Sequence, residues 1–306
     1  MRAMDIRQSG VALLGVMVML ILASGYYFLG HINRLANSKG RDAITNDALY
    51  QAREALLARA ISDGNHPGSL PCPAPTSDGS ALTPPCTTFV GWLPWRTLGL
   101  PDLRDASGER LWYVLSPAFQ DGLSVINSTT SSSLKLNGSP GIAALVIAPG
   151  PSLGGQNRPS NNVIDYLDNK DGNPATSNSD GDDNYFVAST SDTFNDQTIK
   201  VDTSTLFARV TARVLAEIHY AYVASHTTLP PFADNNNDGL SDNAVNAGQF
   251  PYMNSSYAID SPSWYSATPP RKKWYESLEY NGWFSLVNYD RIAMTIALNG
   301  QIRTLP

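Results

Sequence analysis

The chain has 306 residues, with 21 Lys and Arg against 27 Asp and Glu, for a formal net charge of −6 at pH 7. Nonspecific nucleic-acid binding leans on clustered positive charge, and the only basic cluster here is Arg271-Lys272-Lys273, so no nucleic-acid partner is expected. Low charge and abundant Asn, Ser, Asp, Gly and Pro suit a loop-rich head that contains β-structure.

The first ten residues are polar, with Arg2, Asp5 and Arg7, and end in Gln8-Ser9-Gly10. An uncharged apolar run then extends from Val11 to Leu29. Roughly 20 such residues in a helix cross a ~30 Å hydrocarbon core, and Arg2 and Arg7 favour keeping the short flank cytoplasmic. Three readings fit this segment: a secretory signal cut at Ala23-Ser24-Gly25, an uncleaved anchor, or a leader processed at Gly10 with Val11 as the mature N-terminus. From Asn33 to Ser62 the chain has no proline, and Ile44, Ala48, Leu49, Ala52, Ala55, Leu56 and Ile61 recur at helical steps. The spacing predicts one helix from Val11 to Ser62, about 75–80 Å long at ~1.5 Å per residue.

A basic polar leader that ends in Gly directly before an apolar helix resembles the N-terminus of type IV prepilins and type II secretion pseudopilins. The resemblance implies cleavage after Gly10 by a prepilin peptidase, methylation at Val11, and assembly with other pilin or pseudopilin subunits through the retained helix. It also implies a single-pass inner-membrane protein with its head in the periplasm. The position of the fifth mature residue, Glu in most major pilins, is Gly15 here. That departure points to a minor or tip-type subunit, because an unpaired carboxylate in an apolar setting is costly. The expected domains are the leader 1–10, the helix 11–62 with 11–29 spanning the membrane, and a head over 63–306.

Cys72 and Cys86 are the only cysteines. An even pair in an oxidising compartment reads as a disulfide, stapling the Pro-rich stretch just after the helix. Next comes Leu93-Pro94-Trp95 with Leu98-Gly99-Leu100, then an Asp105 to Gly108 turn and a strand-like Arg110 to Leu115. This block also resembles prepilin-like proteins; Trp92, Trp95 and Trp112 are expected in the core. Ile142 to Ala148 reads as a buried strand, Thr193-Phe194-Asn195-Asp196 leads to Ile199-Val201, and Thr205 to Ala224 reads as an amphipathic helix. Asn281-Gly282 gives a turn signal within an aromatic block, and a last strand from Ile292 to Leu298 turns at Asn299-Gly300. The expected fold class is α+β, with the long helix packed on an antiparallel sheet and at least one further helix.

The strongest chemical signal lies at 234–242. Asp234, Asn236 and Asp238 alternate, Gly239 permits a sharp turn, Leu240 offers a carbonyl, and Asp242 follows. These are the first nine positions of a calcium loop, and hard oxygen donors suit Ca²⁺ over zinc. The twelfth position is Val245, so a remote group must complete the shell. A second calcium site at 168–173 and 178–183 is the alternative to a plain polar loop there. The four histidines show no metal-ligand spacing, and no nucleophile elbow or Walker motif is present. An enzyme is therefore not expected. The alternative to a filament subunit is an anchored calcium-dependent binding protein or adhesin that does not polymerise.

Overall fold

The computed structural model describes residues 40–122, 125–225, 232–253 and 271–305. Helix α1 occupies 40–62. Ala48, Leu49, Ala52, Leu56, Leu57 and Ala60 form its inward stripe, each at most 5% exposed. The opposite face is polar and laced with local bonds, such as Gln51 Nε2 to Asp47 Oδ2 at 2.8 Å. The sequence spacing predicts an amphipathic helix here, but Ile44, counted in its apolar stripe, is exposed, and Leu57 and Ala60 join the buried face.

Two expectations are corrected here. The expected helix from Val11 to Ser62 is described only over 40–62, where it is too polar to span a membrane; 11–39, together with Gly10, lie outside the described residues. No described helix is long and apolar enough to cross a membrane. α1 carries Arg41, Asp42, Asp47, Arg53, Glu54 and Arg59, and each charge at a bilayer centre costs about 2.5–3.5 kcal/mol on insertion scales. The single-pass inner-membrane placement with a periplasmic head is therefore not supported.

What remains is an α+β architecture built on two sheets. The larger holds β1 (Val90–Trp92), β2 (Trp112–Leu115), β3 (Leu134–Leu136), β4 (Ser139–Ala148), β5 (Asn184–Tyr185) and β6 (Gln197–Asp202), in the order β1-β2-β4-β3-β5 with β6 paired to β4. β4 is long enough, at 10 residues, to pair with β2 and β3 as well as β6. All these pairs are antiparallel except β3 with β5.

Strand alternation sorts the side chains onto two faces. Tyr113, Leu115, Ala144, Val146 and Ala148 join the core formed with α1. Trp112, Val114, Leu145 and Ile147 face the other way and pack with Trp92, Tyr166 and Leu167. The register slips between Ile142 and Ala144, where Ala143 and Ala144 both turn toward the helices. A bulge has this effect.

Helix α2 (Thr203–Ser225) starts where Asp202 Oδ1 accepts the Thr205 N–H at 2.9 Å, a helix-capping contact. Leu206, Val210, Val214 and Ile218 are fully buried on its inner stripe. The second sheet runs β10-β9-β8-β7, all antiparallel, with β7 Ala247–Gln249, β8 Asn288–Asp290, β9 Thr295–Leu298 and β10 Gln301–Thr304. α2 touches both sheets, and Asn299 Nδ2 bonds Thr211 Oγ1 at 2.9 Å.

The aromatic block near 280 holds the expected turn, placed at the end of a helix. Arg271–Tyr280 is a helix, α3, and Asn281-Gly282 ends it. Gly282 has φ +69°, and Trp283 N–H bonds back to the Leu278 carbonyl at 2.9 Å. An Asn-Gly pair serves a helix C-terminus as well as a hairpin, because both need a left-handed residue.

Candidate functional site

The 234–242 loop follows α2 and leads into β7. Asp234 is pinned at its base by two backbone bonds with Gln249, at 3.0 and 2.7 Å. A Cβ on Gly248 would lie 2.4 Å from the Asp234 carbonyl oxygen, so only glycine allows this approach. The Asp234 side chain is fully buried. Its Oδ1 accepts the N–H groups of Asn236 and Asn237 at 3.1 and 2.6 Å, and its Oδ2 accepts that of Gly239 at 2.7 Å. Asp238 Oδ1 accepts the Leu240 N–H at 2.8 Å, and Asp242 Oδ2 accepts the Asn235 N–H at 2.7 Å. Asn236 Nδ2 donates to Asp238 Oδ2 at 3.1 Å.

These bonds curl the loop around its own acidic side chains. Asp234 Oδ1 already accepts two N–H groups, which occupies both its lone pairs, while Asp234 Oδ2, Asp238 Oδ1 and Asp242 Oδ2 each keep one. Gly239, at φ +84°, makes the sharp turn the spacing anticipated. Val245 does not act as a twelfth ligand; it packs against the core and closes backbone bonds with Ala233 and Asp242. The loop's charge is felt nearby: burial, then the charges of Glu279, Asp234 and Asp238, push the Tyr252 phenol above its usual range.

The second acidic stretch is split by the fold. Asp168 points inward and is 4% exposed, with N–H donors on both carboxylate oxygens. Asp180 and Asp182 close exposed turns through the N–H groups of Asp182 and Asn184. The segment is a polar excursion held by buried side chains, and we assign no metal to it.

Among the described residues, Asp63, His66 and Asp121 form a group of potential ligands with donor atoms within 4.8 Å of one another. Residue spacing does not reveal this group, since Asp121 lies 55 residues beyond His66. The group already contains its cation. Arg59 reaches Asp63 Oδ2 at 2.5 Å and Asp121 Oδ2 at 3.2 Å, while His66 Nδ1 lies 3.1 Å from Asp121 Oδ1. Asp63 Oδ1 is taken by the N–H groups of Asn65 and His66, each at 2.7 Å. A divalent ion there would have to displace or face the guanidinium, so these residues fit an ion-pair network at the end of α1.

Cys72 and Cys86 are bonded as expected, with Cα atoms 5.4 Å apart. Trp92 and Trp112 are buried, at 4% and 2% exposed, with ring centroids 4.4 Å apart, whereas Trp95 is half-buried. A hollow of about 360 Å³ beside Trp92 is lined by Arg104, Glu109, Arg110 and Tyr166. Both arginines are committed to Asp102, at 2.7 Å each. No protein-family model, curated protein or solved structure matches this chain.

Proposed function

We propose that the chain is a structural subunit of the minor pilin or pseudopilin type, processed after Gly10, with a head stiffened by the Cys72–Cys86 bond and by one Ca²⁺ in the 234–242 loop. The observation that carries this reading is the placement of α1. An amphipathic helix follows closely in sequence on the Gly10-Val11 junction and its apolar run, and lies with its buried stripe against an antiparallel sheet. A filament subunit needs that arrangement: one helical face fixed to the head, the other open to neighbours. Tyr50 and Ile44, 58% and 57% exposed, lie on the open side. Its partners are other subunits of the same class and the peptidase that trims the leader. Gly15 in place of Glu favours a minor position over a bulk one.

In-cell photo-crosslinking from a reactive residue at position 50 tests assembly. Capture of a second chain with a Gly-processed apolar N-terminus is the expected result. Recovery of uncrosslinked chain only, from cells that build such filaments, counts against it. For the calcium part, Asp234, Asn236, Asp238, the Leu240 carbonyl and Asp242 are the proposed ligands. What motivates the assignment is the alternating spacing of hard oxygen donors along the loop, beside the Tyr252 phenol that burial and the loop's acids hold above its usual range.

A further inference from the structure

Between β4 and β6 the chain makes a long excursion, residues 149–196, that covers one face of the larger sheet. Tyr166 and Leu167 pack there with Trp92 and Trp112. Behind them two carboxyl groups meet in the interior, Asp168 and Asp196, each 4% exposed. Asp196 Oδ2 accepts the Asp168 N–H and Asn178 Nδ2, both at 2.9 Å. Asp168 Oδ1 accepts Gln156 Nε2, and its Oδ2 accepts the Asn195 N–H, both at 2.7 Å. Three of the four oxygens therefore have N–H donors, while Oδ1 of Asp196 is buried with no partner.

The charged group facing the pair is Arg158, whose side chain is 5% exposed. Its Nη2 donates to Gln156 Oε1 at 2.7 Å, so its field reaches Asp168 through the Gln156 amide. On the far side Arg158 meets Glu109 at 3.5 Å, and Asp165, whose backbone carbonyl takes Arg158 Nε at 2.7 Å, adds a further acid nearby. Two ionised carboxylates beside one shared guanidinium would leave unbalanced negative charge in the interior. An isolated buried charge neutralises instead of persisting. The donors show where the proton goes: Oδ2 of Asp196 takes both N–H groups as a carbonyl oxygen does, which leaves Oδ1 as the hydroxyl.

We propose that Asp168 and Asp196 form a proton latch, in which one proton on Oδ1 of Asp196 keeps the 149–196 excursion seated on the sheet and its loss at rising pH loosens that segment. Three chain stretches meet at the pair, through Asp168, Asn178 and Asn195-Asp196. Asn178 extends the latch by accepting the Phe186 N–H at 2.7 Å and donating to the Phe186 carbonyl at 3.1 Å. Burial raises both carboxyl pKa values, and the charge on Asp168 raises that of Asp196 further, with Arg158 opposing. A carboxyl raised in the folded state holds its proton more tightly there than in the unfolded chain. Its stabilising contribution is thus complete below about pH 3.9, the ordinary Asp value, and is lost as pH rises through the raised folded value.

Carbon-13 titration of the Asp196 carboxyl in the full chain tests this directly, and should show ionisation above the ordinary Asp range. Over the same window the folding equilibrium constant of the wild type should fall by about tenfold per pH unit relative to Asp196→Asn, which mimics the protonated acid. Ionisation of Asp196 at its ordinary value, or a wild-type pH slope in Asp196→Asn, overturns the proposal. Should that variant fail to fold, Asp168→Asn replaces it: removing the neighbouring charge should move the Asp196 titration downward, and an unmoved titration contradicts the coupling.

Discussion

Individual polar side chains tie distant parts of this chain together. Asn281, fully buried, accepts the Ile126 N–H at 2.9 Å and donates to the carbonyls of Asn65 and Ser277 at 3.1 and 2.8 Å. Asn281→Ala strands the Ile126 N–H in the interior, and stability in urea should drop by about 2–3 kcal/mol, the cost of unpaired buried groups. Asp238, a ligand in the proposed calcium loop, is exposed. Its replacement by Ala should leave the metal-free melting temperature nearly unchanged but abolish the calcium-dependent rise. Tyr252 offers an optical check: calcium in the loop should bring its phenol titration down from its raised position, and no movement would place the ion elsewhere. The 234–242 loop is legible as a candidate because its spacing is local. Asp168 with Asp196, and Asp63 with Asp121, escaped notice because folding alone makes them neighbours.

At the scale of elements, apolar periodicity read well wherever one face is buried. The stripe of α2 and the unbroken run of β4 emerge within a few residues of their expected bounds, and the end of α1 at 62 is the expected one. Leu56→Ala, at a fully buried position on α1, should cost about 2–5 kcal/mol. Ile44→Ala on the exposed face should stay within about 0.5 kcal/mol; chemical denaturation of both separates a packed helix from a merely adjacent one. Reducing the Cys72–Cys86 bond, which closes a separation of 14 residues, should lower stability by about 3 kcal/mol in the chain-entropy model. The Asn281-Gly282 turn is where the sequence places it, but the signal encodes a backbone conformation and not the element beside it. α3 was hidden for a related reason: aromatic residues have strand propensity, and packing of Trp274, Tyr275 and Leu278 into the core overrides it.

For the whole molecule, the architecture is a sheet covered by α1 and α2 on one face and by the 149–196 excursion on the other, with a second sheet docked through α2. The α+β class was readable from the order of apolar runs. The membrane-crossing helix expected over 11–29 lies outside the described residues; α1 is polar on its outer face, and no described helix is long and apolar enough to cross a bilayer. What the proposed function requires is that the leader be cut at one peptide bond and the following segment kept. Intact mass and N-terminal sequencing of the chain from cells that process such leaders test this most directly. The account predicts a polypeptide that begins at Val11, and a chain beginning at Met1 or at Tyr26 would contradict it.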